Sequence, residues 1–293
     1  MTRELLVIWK MSKFALEIIK EVNISQIIDK YTNSSAGVSY DTLYYYMPVS
    51  TFLNSVIKNG KITLWAGHVD YMEDRLEFEK GMGIIRSITE MDQAYALTIE
   101  HSIKNRFPFQ LSFSRAKDCY PMWKIYGHGE LAVMLMLDYG LMKKEFEFIS
   151  ECIYEDSEEY ETIKSFIEGR EWLNRKGQPK NNQVESFLLQ FPYLAKDKHY
   201  AYEQEVRIFR GVRKNDDKLN YKISGNIVVP YKNFVFPKKT LKGVMISPCT
   251  DEEFQLNKTT ISLKLIEYGF THLHYSNPLF EDSIVKSEIL IRR

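Results

Sequence analysis

Seven apolar residues in a row, LAVMLML at positions 131–137, constrain the fold of this chain more than any other segment. A strand that is buried on both faces carries such an uninterrupted run, and it lies inside a sheet. Other short apolar segments predict further strands, and helical spacing predicts helices over residues 3–31, 84–99 and 251–268. Because strands and helices are mixed without strict alternation, the predicted fold class is α+β, with a mixed, mostly antiparallel sheet and peripheral helices.

The chain is predicted to contain a short N-terminal extension and one larger domain. Helical periodicity continues to about residue 31, and the segment Asn-Ser-Ser-Ala-Gly at positions 33–37 interrupts it. We therefore predict a helical extension over residues 1–36 and a single α+β domain over residues 40–293. Residues 141–195 contain an acid-rich segment with helical spacing and then a polar stretch, which predicts a helical insertion into that domain.

Charge and cysteine content limit the classes of function. Basic and acidic residues each number 39, so the net charge is zero and no global electrostatic attraction draws the chain to nucleic acid. Three widely spaced cysteines predict reduced thiols in a cytosolic protein. No segment reaches the ~18 apolar residues of a membrane helix, and the N-terminal residues lack the pattern of a signal peptide. We expect a cytoplasmic protein without membrane contact.

A pair of glutamates near the start of the chain's final third forms the first candidate site. Glu203, Glu205 and Arg207 alternate at the start of a predicted half-buried strand, so they are expected on one face of it. Two neighbouring carboxylates repel each other unless a cation, a shared proton or a ligand lies between them. A surface ladder of charges is the alternative interpretation, and Arg207 supplies part of the compensation in either case.

Several motifs, in chain order, resemble a bacterial family catalogued as domain of unknown function 2971. The resemblance covers roughly residues 40–282, and the acidic loop departs from it, with Glu73 where the family usually has asparagine. The matching segments are a tyrosine-rich strand at 43–46, a tryptophan strand at 64–66, the acidic loop at 71–77, Ser-Phe-Ser at 112–114, Trp-x-x-Tyr-Gly at 123–127, Glu-x-Glu-x-Arg at 203–207 and Ser-x-Pro at 276–278.

The order of an aromatic strand, a Ser-Phe-Ser strand and a Glu-x-Glu strand is similar to that of ADP-ribosyltransferases. The resemblance implies a split sheet that binds NAD as a substrate, with Glu205 as the catalytic acid at the ribose and Glu203 as the acid on the acceptor side. It places Ser112 or Ser114 under the nicotinamide ribose. Tyr44 or Tyr46 takes the first-strand position, where the usual residue is histidine or arginine.

The resemblance also implies further ligand contacts. Trp123 and Tyr126 are candidates for stacking on nicotinamide or adenine, and Arg207 and Arg115 are candidates for binding the pyrophosphate, because guanidinium binds phosphate oxygens in a bidentate manner. For the aromatic residues, ordinary strand or core packing is the alternative.

The function implied by the resemblance is that of a bacterial toxin or phage-defence effector, of the toxin–antitoxin kind, which modifies nucleic acid or protein. An antitoxin or regulatory protein would then dock on the N-terminal helix or the acidic insertion. One alternative is a metal-dependent nuclease or phosphodiesterase in which Asp74, Glu77, Glu203 and Glu205 bind magnesium. Another is a non-catalytic module that binds a nucleotide or a protein partner.

Overall fold

The computed structural model describes residues 23–32, 40–58, 60–71, 75–89, 101–102, 109–146, 148–170, 172–174, 179–210, 219–275 and 283–289. The Ser-x-Pro motif and residues 72–74 of the acidic loop lie outside the described residues. Two compact units are formed. One comprises residues 1–38, 74–106 and 152–198, and the other comprises residues 39–73, 107–151 and 199–293.

The strands are β1 (Thr42–Pro48), β2 (Ile62–His68), β3 (Phe109–Ser114), β4 (Ala132–Asp138), β5 (Phe148–Glu151), β6 (Ile153–Tyr154), β7 (Ala195–Lys196), β8 (Glu205–Arg210), β9 (Asn220–Ser224), β10 (Ile227–Phe236), β11 (Leu241–Ile246) and β12 (Ile284–Lys286). The helices are α1 (residues 23–32), α2 (Val49–Thr51, continued by a π turn over Phe52–Val56), α3 (Arg75–Thr89), α4 (Tyr120–Tyr126), α5 (Tyr139–Glu145), α6 (Glu158–Gly169), α7 (Asn182–Leu194), α8 (Asp251–Glu267) and α9 (His272–Tyr275).

A ten-stranded sheet organises the second unit. Its main path runs β12-β11-β4-β1-β3-β2-β10-β9, and β8 and β5 branch from β3. The β11–β12 pair is parallel, and the other pairs of this sheet are antiparallel. Together with the helices, this mixed and mostly antiparallel sheet confirms the predicted α+β class.

The apolar run at 131–137 forms β4, an interior strand of this sheet. β4 lies between β1 and β11, with Met134 opposite both Tyr46 and Met245. Its residues Val133, Met134 and Leu135 are fully buried. The unbroken apolar pattern therefore has the predicted cause, which is burial of both faces of a central strand.

The branch at β3 positions the candidate site. One edge of β3 pairs with β8 along its whole length, from Phe109 opposite Arg210 to Ser114 opposite Glu205. The other edge is divided between two strands, because Ser114 pairs with β1 whereas Phe109 and Gln110 pair with β2. β3 is thus the strand at which three others meet.

The first unit is mainly helical. Its helices α6 and α7 begin at side-chain caps, in which Ser157 accepts from the Tyr160 backbone N–H and Asn181 accepts from that of Val184. Trp172, Phe187 and Phe191 are buried in its core, which β6 and β7 complete as a short parallel pair. Residues 152–195 of the predicted insertion belong to this unit.

Two local predictions are wrong. The aromatic-rich segment at residues 270–275 predicts a last strand by its sequence, but the structure shows helix α9 over His272–Tyr275, with Phe270 and Leu273, three residues apart, both buried. Residues 148–151 were expected to be helical, but they form β5, which pairs with the free edge of β8. Within the described residues, no helix has the length and apolar character needed to cross a membrane.

Candidate functional site

Three residues from three neighbouring strands form a row on one face of the sheet. Tyr44 of β1 lies directly opposite Ser114 of β3, and Ser114 lies directly opposite Glu205 of β8. Directly opposed residues of antiparallel strands project from the same face, with Cβ atoms about 4.5–5.5 Å apart. The sheet therefore brings together the tyrosine, the serine and the glutamate that the resemblance indicates.

Glu205 forms a buried ion pair with Arg207. The Arg207 guanidinium donates from Nε to Glu205 Oε1 at 2.8 Å and from a terminal nitrogen to Oε2 at 2.9 Å. Both side chains are buried, and Arg207 lies opposite Ser112 on β3. The guanidinium thus offsets the carboxylate charge, and its role towards a pyrophosphate stays a prediction.

Glu203 does not lie in the strand that contains Glu205, in contrast to the expected alternation. It ends a 3-10 turn, Lys198–Glu203, and Gln204 follows with φ of 44° before β8 begins. The Ser114 hydroxyl donates to the Glu203 carbonyl at 2.6 Å. The Tyr126 hydroxyl donates to Glu203 Oε1 at 3.5 Å. The left-handed residue redirects the chain, so the two carboxylates are related by a turn and not by the strand period.

Tyr46 and Trp123 pack against each other beside this row. Their rings are 4.8 Å apart in an edge-to-face arrangement, within an apolar cluster against which Tyr44, Tyr126 and Tyr202 also pack. The Tyr46 hydroxyl donates to the Ala116 carbonyl at 2.7 Å and accepts from the Cys119 backbone N–H at 3.0 Å. Burial raises the pKa of Tyr46 well above its ordinary value, so its phenol stays protonated.

Asp118 anchors the loop between β3 and α4, which sequence reasoning missed. Its carboxylate accepts from the Trp123 indole at 2.8 Å, the Ser287 hydroxyl at 2.6 Å and the Glu288 backbone N–H at 2.7 Å. Asp118 has φ of 52°, a conformation that non-glycine residues rarely adopt. No local sequence signal could have found these contacts, because two of the partners are about 170 residues away in the chain.

Arg115, the second candidate for the pyrophosphate, faces away from the row. It follows Ser114 in the chain and forms an ion pair with Glu151 at 3.0 Å. Its guanidinium also lies over the Tyr40 ring, 5.7 Å from the centroid. These contacts give Arg115 a structural role on the other side of the sheet.

Metal binding finds no support in the described ranges, where no group of three or more His, Cys, Asp or Glu side chains is arranged to hold a metal ion. Asp74 and the side chain of Glu77, which belong to the metal alternative, lie outside the described residues. All nine predicted site residues belong to the sheet-containing unit, namely Tyr44, Tyr46, Ser112, Ser114, Trp123, Tyr126, Glu203, Glu205 and Arg207.

Comparison with known proteins gives a match to a protein family. Residues 122–208 match the family described as "Protein of unknown function (DUF2971)", a shorter range than the expected 40–282. The match includes Trp123, Tyr126 and the Glu-x-Glu-x-Arg motif. No curated protein and no solved structure matches the chain. Over residues 122–208 the chain is therefore similar to this family of unknown function.

Proposed function

We propose that this protein is an NAD-dependent ADP-ribosyltransferase that modifies nucleic acid or protein. The observation that carries the proposal is the row of Tyr44, Ser114 and Glu205 across β1, β3 and β8. A serine and a glutamate in this strand order hold and cleave NAD in the enzymes that the sequence resembles, and Tyr44 stands here at the position of their usual histidine or arginine. Of the two candidate serines, the register favours Ser114, because Ser112 lies opposite Arg207 instead.

The proposed reaction is displacement at the nicotinamide ribose. The bond between C1′ of the ribose and the nicotinamide nitrogen breaks, and nicotinamide leaves with the bonding electron pair. The Glu205 carboxylate stabilises the positive charge that develops on the ribose, which lowers the transition state selectively. A nucleophilic oxygen or nitrogen of the acceptor bonds to C1′, and Glu203 accepts its proton.

The biological setting that fits this activity is a bacterial toxin or phage-defence effector, acting in the cytoplasm and restrained by an antitoxin or regulatory protein. This setting rests on the resemblance alone. Transfer of ADP-ribose to an essential nucleic acid or protein would explain why such an enzyme requires a partner to silence it.

The test is transfer of label from NAD. Purified protein is incubated with NAD labelled in the adenylate and with a bacterial lysate, and label in RNA, DNA and protein is measured together with released nicotinamide. We expect Glu205→Gln to reduce transfer by about a hundredfold or more, a typical loss when one charge-stabilising group is removed. Glu252→Gln, at an exposed position in the first turn of α8, is the matched control and should retain full transfer.

The same experiment separates the alternatives. Activity on nucleic acid that needs no NAD and disappears with a chelator would replace the transferase by a metal-dependent phosphodiesterase. Binding of NAD without release of nicotinamide would indicate a non-catalytic binding module.

A further inference from the structure

The face of the sheet that carries Ser114 and Glu205 continues beyond β3 onto β2, β10 and β9. On this face, Gln110 of β3 lies opposite Gly67 of β2, and Gly67 lies opposite Tyr231 of β10. Ser112 and Ser114 follow Gln110 at intervals of two residues, so their side chains project from the same face. The candidate site and the strands at the other end of the sheet therefore share one face.

An aromatic pair stands on this surface. The rings of Trp65 and Tyr231 are 5.4 Å apart and tilted by 46°. Trp65 is 42% exposed, an unusual degree for a residue whose indole is mostly apolar. Gly67 lies beside both, and a Cβ placed there would meet no heavy atom of the described residues within 4 Å. The two rings thus border an open space above the Gly67 backbone, in which a flat ring can stack.

Within β2, β9 and β10, the polar side chains that share this face are neutral or positively charged. Asn233 and Asn220 lie on the same face as Tyr231, and Lys222 is exposed two residues after Asn220. The strands β2, β9 and β10 contain no aspartate or glutamate at all. A partner with negative charge and with amide-like edges for hydrogen bonding complements this surface, whereas an acidic surface would repel it.

We propose that the surface formed by Trp65, Gly67, Tyr231, Asn220, Asn233 and Lys222 binds single-stranded nucleic acid by stacking of bases on the aromatic pair. Aromatic side chains on an exposed sheet face, with cations nearby for the phosphates, are the standard elements of such recognition. The bases are then presented towards the row of Tyr44, Ser114 and Glu205. Only this last step, in which the bound strand is the ADP-ribose acceptor, rests on the proposed function.

The separation between the two sites suits this arrangement. Ser114 and Gln110 lie about 13 Å apart along β3, and β10 lies about 10 Å from β3, across two strand spacings. By this geometry Tyr231 lies about 16 Å from Ser114, a span that a few consecutive nucleotides cover, and Trp65 on β2 lies nearer.

The test is binding of fluorescein-labelled oligouridylate and oligothymidylate, followed by fluorescence anisotropy without NAD. We expect Trp65→Ala and Tyr231→Ala each to weaken binding about tenfold or more, and Trp65→Phe to retain most of it, because any aromatic face stacks on a base. Gly67→Leu fills the space above the Gly67 backbone and should also weaken binding. Lys222→Ala should make binding less sensitive to salt, since one phosphate contact is lost.

Tyr221→Ala is the matched control. Tyr221 is 63% exposed on the same hairpin, but it lies opposite Pro230 and therefore projects from the other face of the sheet. Its removal should leave the affinity unchanged. A folded wild-type protein that binds neither oligonucleotide, or an equal loss for Tyr221→Ala and Trp65→Ala, would overturn the proposal. Preferential binding of one oligonucleotide assigns the surface to RNA or to DNA.

The outcomes for this surface and for the transferase are separable. Glu205→Gln should bind the oligonucleotides as the wild type does, because it leaves the aromatic pair intact. Oligonucleotide binding without nicotinamide release would support the proposed binding surface and contradict the proposed transferase activity. Transfer of label to protein, with no oligonucleotide binding, would sustain the transferase and overturn the proposal that this surface binds nucleic acid.

Discussion

At the scale of single residues, the Arg207 guanidinium holds the Glu205 side chain in position within the candidate site. The two side chains are buried and joined by two hydrogen bonds. A buried carboxylate without a partner is costly, because the protein interior solvates charge far less well than water does. The ion pair therefore stabilises the Glu205 carboxylate in its buried position within the sheet.

Replacement of Arg207 by methionine tests this dependence. The Arg207→Met variant keeps most of the side-chain volume but leaves the Glu205 carboxylate without its guanidinium. We expect the free energy of unfolding to fall by about 3–5 kcal/mol, the usual loss when one member of a buried ion pair is removed. Urea unfolding followed by circular dichroism measures it.

The control for this experiment is the double variant Glu205→Gln/Arg207→Met, which removes the charge together with its partner. We expect the double variant to recover a large part of the lost stability. A double variant as unstable as Arg207→Met would contradict the view that loss of the guanidinium beside the Glu205 carboxylate is the cause.

Strand β10 shows how a single element serves both faces of the sheet. Tyr231 and Asn233 project from the face of the candidate site, and Lys232, Phe234 and Phe236 project into the core on the other side. Lys232 is only 1% exposed, and its Nζ has no hydrogen-bond partner in the described structure. Its ammonium lies over the Phe109 ring, 5.6 Å from the centroid, which compensates in part for lost hydration.

Lys232→Met should therefore stabilise the protein. Methionine fills a similar volume without a group that requires hydration, so we expect the free energy of unfolding to rise, by on the order of 1 kcal/mol. Lys222→Met on the neighbouring edge strand β9 is the control, and it should change stability by less than about 0.5 kcal/mol because Lys222 is exposed. Thermal unfolding of both variants provides the comparison, and a lower melting temperature for Lys232→Met would show that the ammonium is well accommodated.

At the scale of the whole molecule, each compact unit is assembled from three separate parts of the chain. The helical unit uses α1 as a structural component: Ile27, Ile28 and Tyr31 are buried, and the Tyr31 ring lies 6.1 Å from that of Phe187. The Tyr31 hydroxyl donates to Glu159 at 3.0 Å. These contacts join segments that are far apart in the sequence, which slows folding relative to local contacts.

Tyr31→Ala should destabilise this unit. Loss of a buried aromatic side chain costs about 3 kcal/mol or more, because a cavity remains in the core. Gln26→Ala, at an exposed position of the same helix, should have little effect. The readout is thermal unfolding of the 293-residue chain. If Tyr31→Ala and Gln26→Ala had equal melting temperatures, α1 would not contribute to the core of the unit.

Periodicity along the chain was enough to predict a strand or helix where all of its residues lie in the same kind of environment. The apolar run at 131–137 predicts an interior strand, because only burial on both faces makes every position apolar, and β4 has that position. The mixture of strands and helices likewise determined the α+β class. The residues of the candidate site could also be identified from the sequence, since Tyr44, Ser114 and Glu205 lie in motifs with a recognisable order.

Tertiary structure alone decided how these residues meet. The turn at Gln204 removes Glu203 from the strand period, and the choice between Ser112 and Ser114 depends on the register of β3 against β1 and β8. Asp118 accepts hydrogen bonds from Ser287 and Glu288 only because the fold brings together segments that are about 170 residues apart in the chain. Register and long-range hydrogen bonds depend on pairing between distant segments, and no local pattern of residues carries that information.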